Sequence, residues 1–214
     1  MKNYINSPEF AKINKDYYRY KEDYDWVRIT DNLIGLESFF HRARQKQFLK
    51  FLRPYLDKIP PEAILDAGCG TGLFSRYLPP GAVAVDINPR HIAKAKSHAP
   101  QINFFTGDLE KLPFEDGEFS LVICTEVIEH FPIPQKPLSE IKRVLNKNGL
   151  LIGTVPNKSW VWHLRFLSST RPAEPFHNNF KKNEIHRLLS NFFSVQFLKK
   201  LAFGMNWVFI AKKF

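Results

Sequence analysis

The stretch Ile64-Leu65-Asp66-Ala67-Gly68-Cys69-Gly70-Thr71-Gly72 sets a carboxylate directly before a G-x-G-x-G turn. Glycines let the backbone pass close to a ligand and adopt dihedrals closed to other residues. A turn that opens a helix also offers unpaired N–H groups at the positive end of the helix dipole. The spacing differs from the G-x-G-x-x-G of dinucleotide sites. A nucleoside-type cofactor, a dinucleotide and a plain tight connection all remain open at this turn. Further on come Asp86, Asp108, and then Thr125-Glu126 with Glu129-His130. A carboxylate such as Asp86, twenty residues past Asp66, can accept two hydrogen bonds from a ribose diol. Glu126, Glu129 and His130 form E-x-x-E-H, a set able to move a proton or to bind a divalent cation.

These residues share a rim only if the chain folds as alternating strands and helices. Strands are expected at Ala63–Asp66, Ala82–Ile87, Ile102–Thr106, Phe119–Cys124 and Leu150–Val155, with helices at Leu73–Leu78, Pro89–His98 and Pro137–Leu145 between them. Such near-continuous apolar runs mark strands of a parallel sheet covered on both faces. Right-handed crossovers make the sheet doubly wound, an α/β fold that gathers the C-terminal strand ends where ligands bind. A helix at Lys182–Ser190 and two strands, Phe193–Lys199 and Trp207–Lys212, close the chain as an edge hairpin. Before the sheet, an apolar face with helical spacing runs from Asp31 to Arg53 and is closed by Pro54. Residues 1–31 are polar and aromatic and read as an irregular or partly helical arm packed on the domain.

The 214 residues carry a formal net charge of +10. The charge is uneven: residues 1–60 hold 12 basic and 8 acidic groups, 61–157 hold 9 and 11, and 158–214 hold 10 and 2. The basic end is read as a solvated lysine-rich surface. No apolar run approaches the roughly 20 residues of a membrane span. Two cysteines make neither a disulfide framework nor a zinc cluster, and the N-terminus lacks a signal-peptide core, so a cytoplasmic setting is expected. No base-reading motif is visible, and nucleic acid is not an expected partner.

ILDAGCGTG, AVDIN, TGDLEKLPFEDGEFSLVICTEVIEHF and LNKNGLLIGTVPN closely resemble the class I S-adenosylmethionine-dependent methyltransferases, in the branch of the ubiquinone-biosynthesis O-methyltransferases. The resemblance covers about Pro61 to Pro156. It implies a Rossmann-like seven-stranded sheet of order 3-2-1-4-5-7-6 with strand 7 antiparallel. It divides the chain into a helical leader, 1–60, and a methyltransferase domain, 61–214, whose residues 156–180 form an acceptor-side lid. It implies S-adenosylmethionine as cofactor, leaving as S-adenosylhomocysteine. Asp66, Gly68, Cys69 and Gly70 would line its methionine part and Thr125 would offer backbone there. Asp86 would hold the ribose, Ile87 would pack on the adenine, and Asp108 and Leu109 would meet the adenine edge. A leader arginine would reach the carboxylate, Arg42 in preference to Arg44. Glu126, Glu129 and His130 would face the acceptor, with His130 as general base; a divalent metal on these three is possible but not expected. His177 and the aromatic stretch Trp160–Leu167, which includes His163, would border the acceptor, a small molecule or a lipid-linked one. That stretch could also touch a membrane surface. An RNA or protein methyltransferase, or a regulator that binds the cofactor without transfer, is the alternative.

Overall fold

The computed structural model describes residues 7–21, 23–32, 36–158 and 175–214. An N-terminal arm comes first: helix α1 (Pro8–Asp16), a π-turn over Tyr17–Lys21, and helix α2 (Trp26–Asn32). Ser7 caps α1, its hydroxyl accepting from Phe10 N at 3.1 Å. Helix α3 (Leu36–Leu56) is the leader helix. It continues through Pro54 for two more residues, so Pro54 falls inside the last turn rather than closing the helix.

The sheet is built from β1 (Ile64–Ala67), β2 (Val83–Asp86), β3 (Asn103–Thr106), β4 (Phe119–Thr125), β5 (Leu145–Pro156), β6 (Phe193–Leu201) and β7 (Asn206–Lys213). Its order is β3-β2-β1-β4-β5-β7-β6. Strands β1 to β5 pair in parallel, as at Asp66 beside Ala84 and Ile123, and Thr125 beside Thr154. Strand β7 runs antiparallel between β5 and β6. Helices α4 (Pro89–His98), α5 (Gln135–Val144) and α6 (Lys182–Ser190) complete the pattern. Helix α4 starts where expected because Asn88 caps it, accepting from Arg90 N, and Pro89 occupies its first turn.

Successive strand residues point to opposite faces, and here both faces are dry. Ile64 and Leu65 are each fully buried. Leu65, Val122 and Phe209 pack under Ile141 of α5 and Ile185 of α6. Ile64, Ile123 and Val208 pack under Phe48 and Leu52 of α3 and Ile92 of α4. The leader is therefore part of the domain's core.

Two further local expectations change. Residues 73–78 make turns with a single 3-10 turn at Ser75–Tyr77 instead of a helix. Gly72, at φ 87°, and Pro79-Pro80 leave too little room for a second helical turn. Strand β5 begins at Leu145 directly after α5, pairs with Phe119, and resumes regular pairing at Leu150 after Asn148 at φ 68°. Among the described residues no helix is long and apolar enough to cross a membrane.

Candidate functional site

The turn after β1 crosses the rim at the end of β2. Gly68 N and Cys69 N both donate to Val85 O, at 2.8 and 3.0 Å. Gly68 holds φ 79° and Gly70 φ 53°, in the left-handed region. The exposed edge of the turn is fastened to Asp86: Gly70 N donates to its Oδ2 and Asn88 N to its Oδ1, each at 2.9 Å. Each carboxylate oxygen has a second lone pair with which to accept from a ligand. Ile87, half-buried, follows.

Asp66 lies beneath the turn with 1% of its surface exposed, and the Ser75 hydroxyl donates to its Oδ2 at 2.6 Å. Burial pushes its pKa up to about 7; the Ser75 bond opposes the rise and Asp86 adds to it. Cys69 and Cys124 are buried free thiols whose pKa values burial drives well above the usual thiol range, with nearby carboxylates adding. Neither supplies a thiolate near neutral pH.

At the end of β3, Asp108 Oδ1 accepts from Glu110 N at 2.9 Å while its Oδ2 pairs with Lys15 Nζ of α1 at 2.8 Å. Lys15 also reaches Glu110. Burial lowers the Lys15 pKa, but its two carboxylate partners outweigh that and raise it. Leu109 is buried beneath. The arm thus occupies the space above Asp108, and nothing in the polar spacing of residues 7–21 signals it.

At the end of β4, Thr125 is buried and Glu126 turns the chain at φ 55°. The Glu126 carboxylate gathers three donors: Thr154 Oγ1 at 2.8 Å, Asn206 Nδ2 at 2.7 Å and Arg44 Nη1 at 2.9 Å. Arg44 is thereby held at the rim, and its Nε is buried and makes no hydrogen bond among the described residues. Arg42 lies elsewhere. Its Nε and Nη2 donate to Thr30 O and Asp31 O at the C-terminus of α2, each at 2.9 Å.

Glu129 and His130 form a 3-10 turn with Ile128, and Glu129 is 1% exposed. Asn178 N donates to Glu129 O at 3.0 Å, which brings His177 to His130 with ring centres 5.3 Å apart. Tyr18 closes this corner, its hydroxyl 2.8 Å from His130 Nδ1. Trp26 of α2 sits over the glycine turn, its N donating to Thr71 Oγ1 at 3.0 Å. The stretch Trp160–Leu167, with His163, lies outside the described residues. Among the described residues no group of three or more His, Cys, Asp or Glu side chains is arranged to hold a metal ion.

Residues 65–153 match the family model described as a methyltransferase domain. The malonyl-acyl-carrier-protein O-methyltransferase of Herminiimonas arsenicoxydans is 36% identical over 113 residues, covering 50% of this chain and 42% of that protein. The same-named enzyme of Legionella pneumophila is 30% identical over 151 residues, 67% of this chain and 49% of its own length. The ubiquinone biosynthesis O-methyltransferase of Coxiella burnetii is 33% identical over 108 residues, 47% of this chain and 46% of its own. The chain spans about half the length of these relatives. Among solved structures, the magnesium protoporphyrin IX methyltransferase of Synechocystis with bound SAH superposes with a TM-score of 0.74 at 21% identity, over 95% of this chain and 99% of that one. Its form with bound SAM gives 0.73 at 20% identity, over 98% and 99%. These structures share the fold.

Proposed function

We infer that this chain, whose residues 65–153 form a methyltransferase domain, transfers a methyl group from S-adenosylmethionine to a small-molecule or lipid-linked acceptor. The observation that carries the reading is the joint between the glycine turn and Asp86, made by Gly70 N. It fixes a carboxylate with lone pairs suited to a diol beside the glycine turn at one rim. The turn is not tightly covered there: among the described residues a Cβ built on Gly70 meets only Trp26 Cδ1, at 3.9 Å.

Asp86 would accept both ribose hydroxyls on its remaining lone pairs. Arg44, rather than Arg42, is the residue suited to the methionine carboxylate, because its orphaned Nε is a charged donor already held at the rim. Asp66, Gly68, Cys69, Gly70 and Thr125 frame the methionine end, while Ile87, Asp108 and Leu109 border the adenine, with Lys15 over Asp108. When bound, S-adenosylmethionine supplies an electrophilic sulfonium methyl. The protein then has to orient an acceptor in line, keep water out and accept a proton. His130, with His177 beside it, is the base for a hydroxyl acceptor; Glu129 shares the turn of His130, and its backbone oxygen accepts from Asn178 N, next to His177. Glu126 acts through Arg44 and the β5–β7 edge.

The described parts of residues 1–60 serve as a cap packed on the domain of 61–214; of the acceptor-side lid assigned to 156–180, residues 159–174 lie outside the described residues. The names of the relatives, a malonyl-acyl-carrier-protein O-methyltransferase and a ubiquinone biosynthesis O-methyltransferase, favour a small or carrier-linked substrate. Two buried free thiols favour the cytoplasm. The test is calorimetry with S-adenosylmethionine. Asp86→Ala should bind at least about 100-fold more weakly, given two charge-assisted hydrogen bonds, with the fold intact by circular dichroism. Unchanged affinity, or binding of NADH instead, would sink the assignment.

A further inference from the structure

Helix α3 lies along the edge strand β6. Phe51 meets Phe197 with ring centres 5.2 Å apart, and Gln47 Oε1 accepts from Ala202 N at 3.0 Å. The joined surface carries charge of one sign, for residues 38–56 and 185–214 contain no Asp or Glu. Lys46, Lys50 and Arg53 follow Phe39 at steps of seven, four and three, which places them along one side of α3. Lys199 stands on the same side of β6 as Phe197, its Nζ 5.1 Å from that ring, and Lys200 follows it. All five cations are exposed, and none forms an ion pair with a described residue. Elsewhere cations are paired, as Arg76 is with Asp31 and Arg143 with Asp116.

At the rim end of this surface the chain turns from β6 into β7 through Ala202, Phe203 and Gly204, at φ 47°, 59° and 85°. Glycine takes this region freely, but a phenylalanine there is an outlier. Neighbours enforce it: Gln47 holds Ala202 N, and Asn157 Nδ2 donates to Gly204 O at 2.7 Å. The strain does not serve the core, because Phe203 is 61% exposed and its partner Phe39 55% exposed. The two rings stack at 5.7 Å and 25°, and Phe40 meets Phe203 edge-on at 5.7 Å. The turn also borders the rim. Asn206, two residues past Gly204, donates to the same Glu126 oxygen as Arg44, which lies one helical turn from Phe40.

We propose that this face docks the protein on an anionic lipid bilayer, Phe39 and Phe203 entering the interface and the α3 and β6 cations meeting the headgroups. Exposed aromatic side chains beside unpaired cations on long alkyl stems suit that boundary, where rings enter the acyl region and ammonium groups stay in water. A nucleic acid would use free ring faces for its bases, and here Phe39 and Phe203 turn theirs to each other. Docked this way, the acceptor side of the rim stands at the bilayer, where a lipid-linked acceptor would arrive. That consequence rests on the methyl-transfer reading above; the docking does not.

The test is flotation of the full chain with vesicles of phosphatidylcholine, alone or with about a third phosphatidylglycerol, at about 0.1 M salt. The chain should bind the anionic vesicles at least about tenfold more tightly than the neutral ones. Lys46→Glu, Lys50→Glu and Lys199→Glu together should weaken that binding about 100-fold. Phe203→Gly places glycine where φ is positive, so the fold should hold by circular dichroism, while anionic binding falls about tenfold. Both variants should keep wild-type calorimetric affinity for S-adenosylmethionine. Failure of the wild type to bind that cofactor would refute the methyl-transfer reading and leave the docking to the vesicles. Equal binding to neutral vesicles, or none to anionic ones, overturns the proposal. So does undiminished binding by Phe203→Gly, which would leave charge alone at work. Binding of duplex DNA or polyglutamate as tight as that of the anionic vesicles would assign the face to a different polyanion and also overturn it.

Discussion

Gly68 and Gly70 look equivalent in the G-x-G-x-G motif, yet they answer different demands. A Cβ on Gly68 would lie 2.5 Å from Val127 Cγ2, at φ 79°. One on Gly70, at φ 53°, would meet Trp26 Cδ1 at an ordinary 3.9 Å. Gly68→Ala combines left-handed strain with overpacking and should cost about 2–4 kcal/mol in urea unfolding. Gly70→Ala should cost about 1 kcal/mol but fill the cradle, weakening S-adenosylmethionine at least about tenfold by calorimetry. Wild-type affinity in Gly70→Ala would place the methionine end elsewhere. The two arginines of α3 show the same limit of motif reading. Arg42 and Arg44 are two positions apart, so they point to opposite sides of a helix. Which one meets the rim depends on how α3 crosses the sheet, and that is set by Phe48 and Leu52 in the core.

The strands were legible because parallel strands buried on both faces have no solvent side to interrupt their apolar runs. Helices α4 and α6 were legible to the residue, α4 through a cap and a proline that act locally. Glycine turn, Asp86, Asp108 and Glu126–His130 were legible because a doubly wound sheet puts every parallel strand end on one rim. The arm was not. Its contacts are polar and lie far away in sequence, as with Lys15 to Asp108 and Trp26 to Thr71, and no local period encodes such pairs. Asn88 joins the legible and illegible parts, since its side-chain oxygen caps α4 and its amide nitrogen holds Tyr18 O. Asn88→Ser should separate the two roles. Serine also caps well, so the thermal midpoint should change little. The arm loses a bond worth about 1 kcal/mol, so limited proteolysis within residues 7–32 should quicken about fivefold where cleavage follows the open population. Equal cleavage rates would mean that the arm is held by its other contacts alone.

At the scale of the whole molecule, the cofactor rim exacts a stability cost through Asp66, a carboxylate set into a core that is dry on both sheet faces. Its folded pKa of about 7, raised chiefly by burial, exceeds the unfolded value near 3.9. Between those values the folded chain holds one more proton than the unfolded chain, so stability falls as pH rises from about 4 to 7. Three pKa units set the ceiling of that loss at about 4 kcal/mol. Above pH 7 both states are ionised and the group contributes no further slope. Asp66→Asn cannot ionise, so its stability relative to wild type should climb through that window by up to the same amount, in urea unfolding at pH 4 to 8. A constant difference across the window would show that Asp66 is already charged at low pH. A bound ligand carrying positive charge would favour the carboxylate. S-adenosylmethionine should therefore bind the wild type more tightly as pH rises toward 7 and release a proton on binding below it. Asp66→Asn should lose both effects while keeping the Ser75 hydrogen bond that holds the turn.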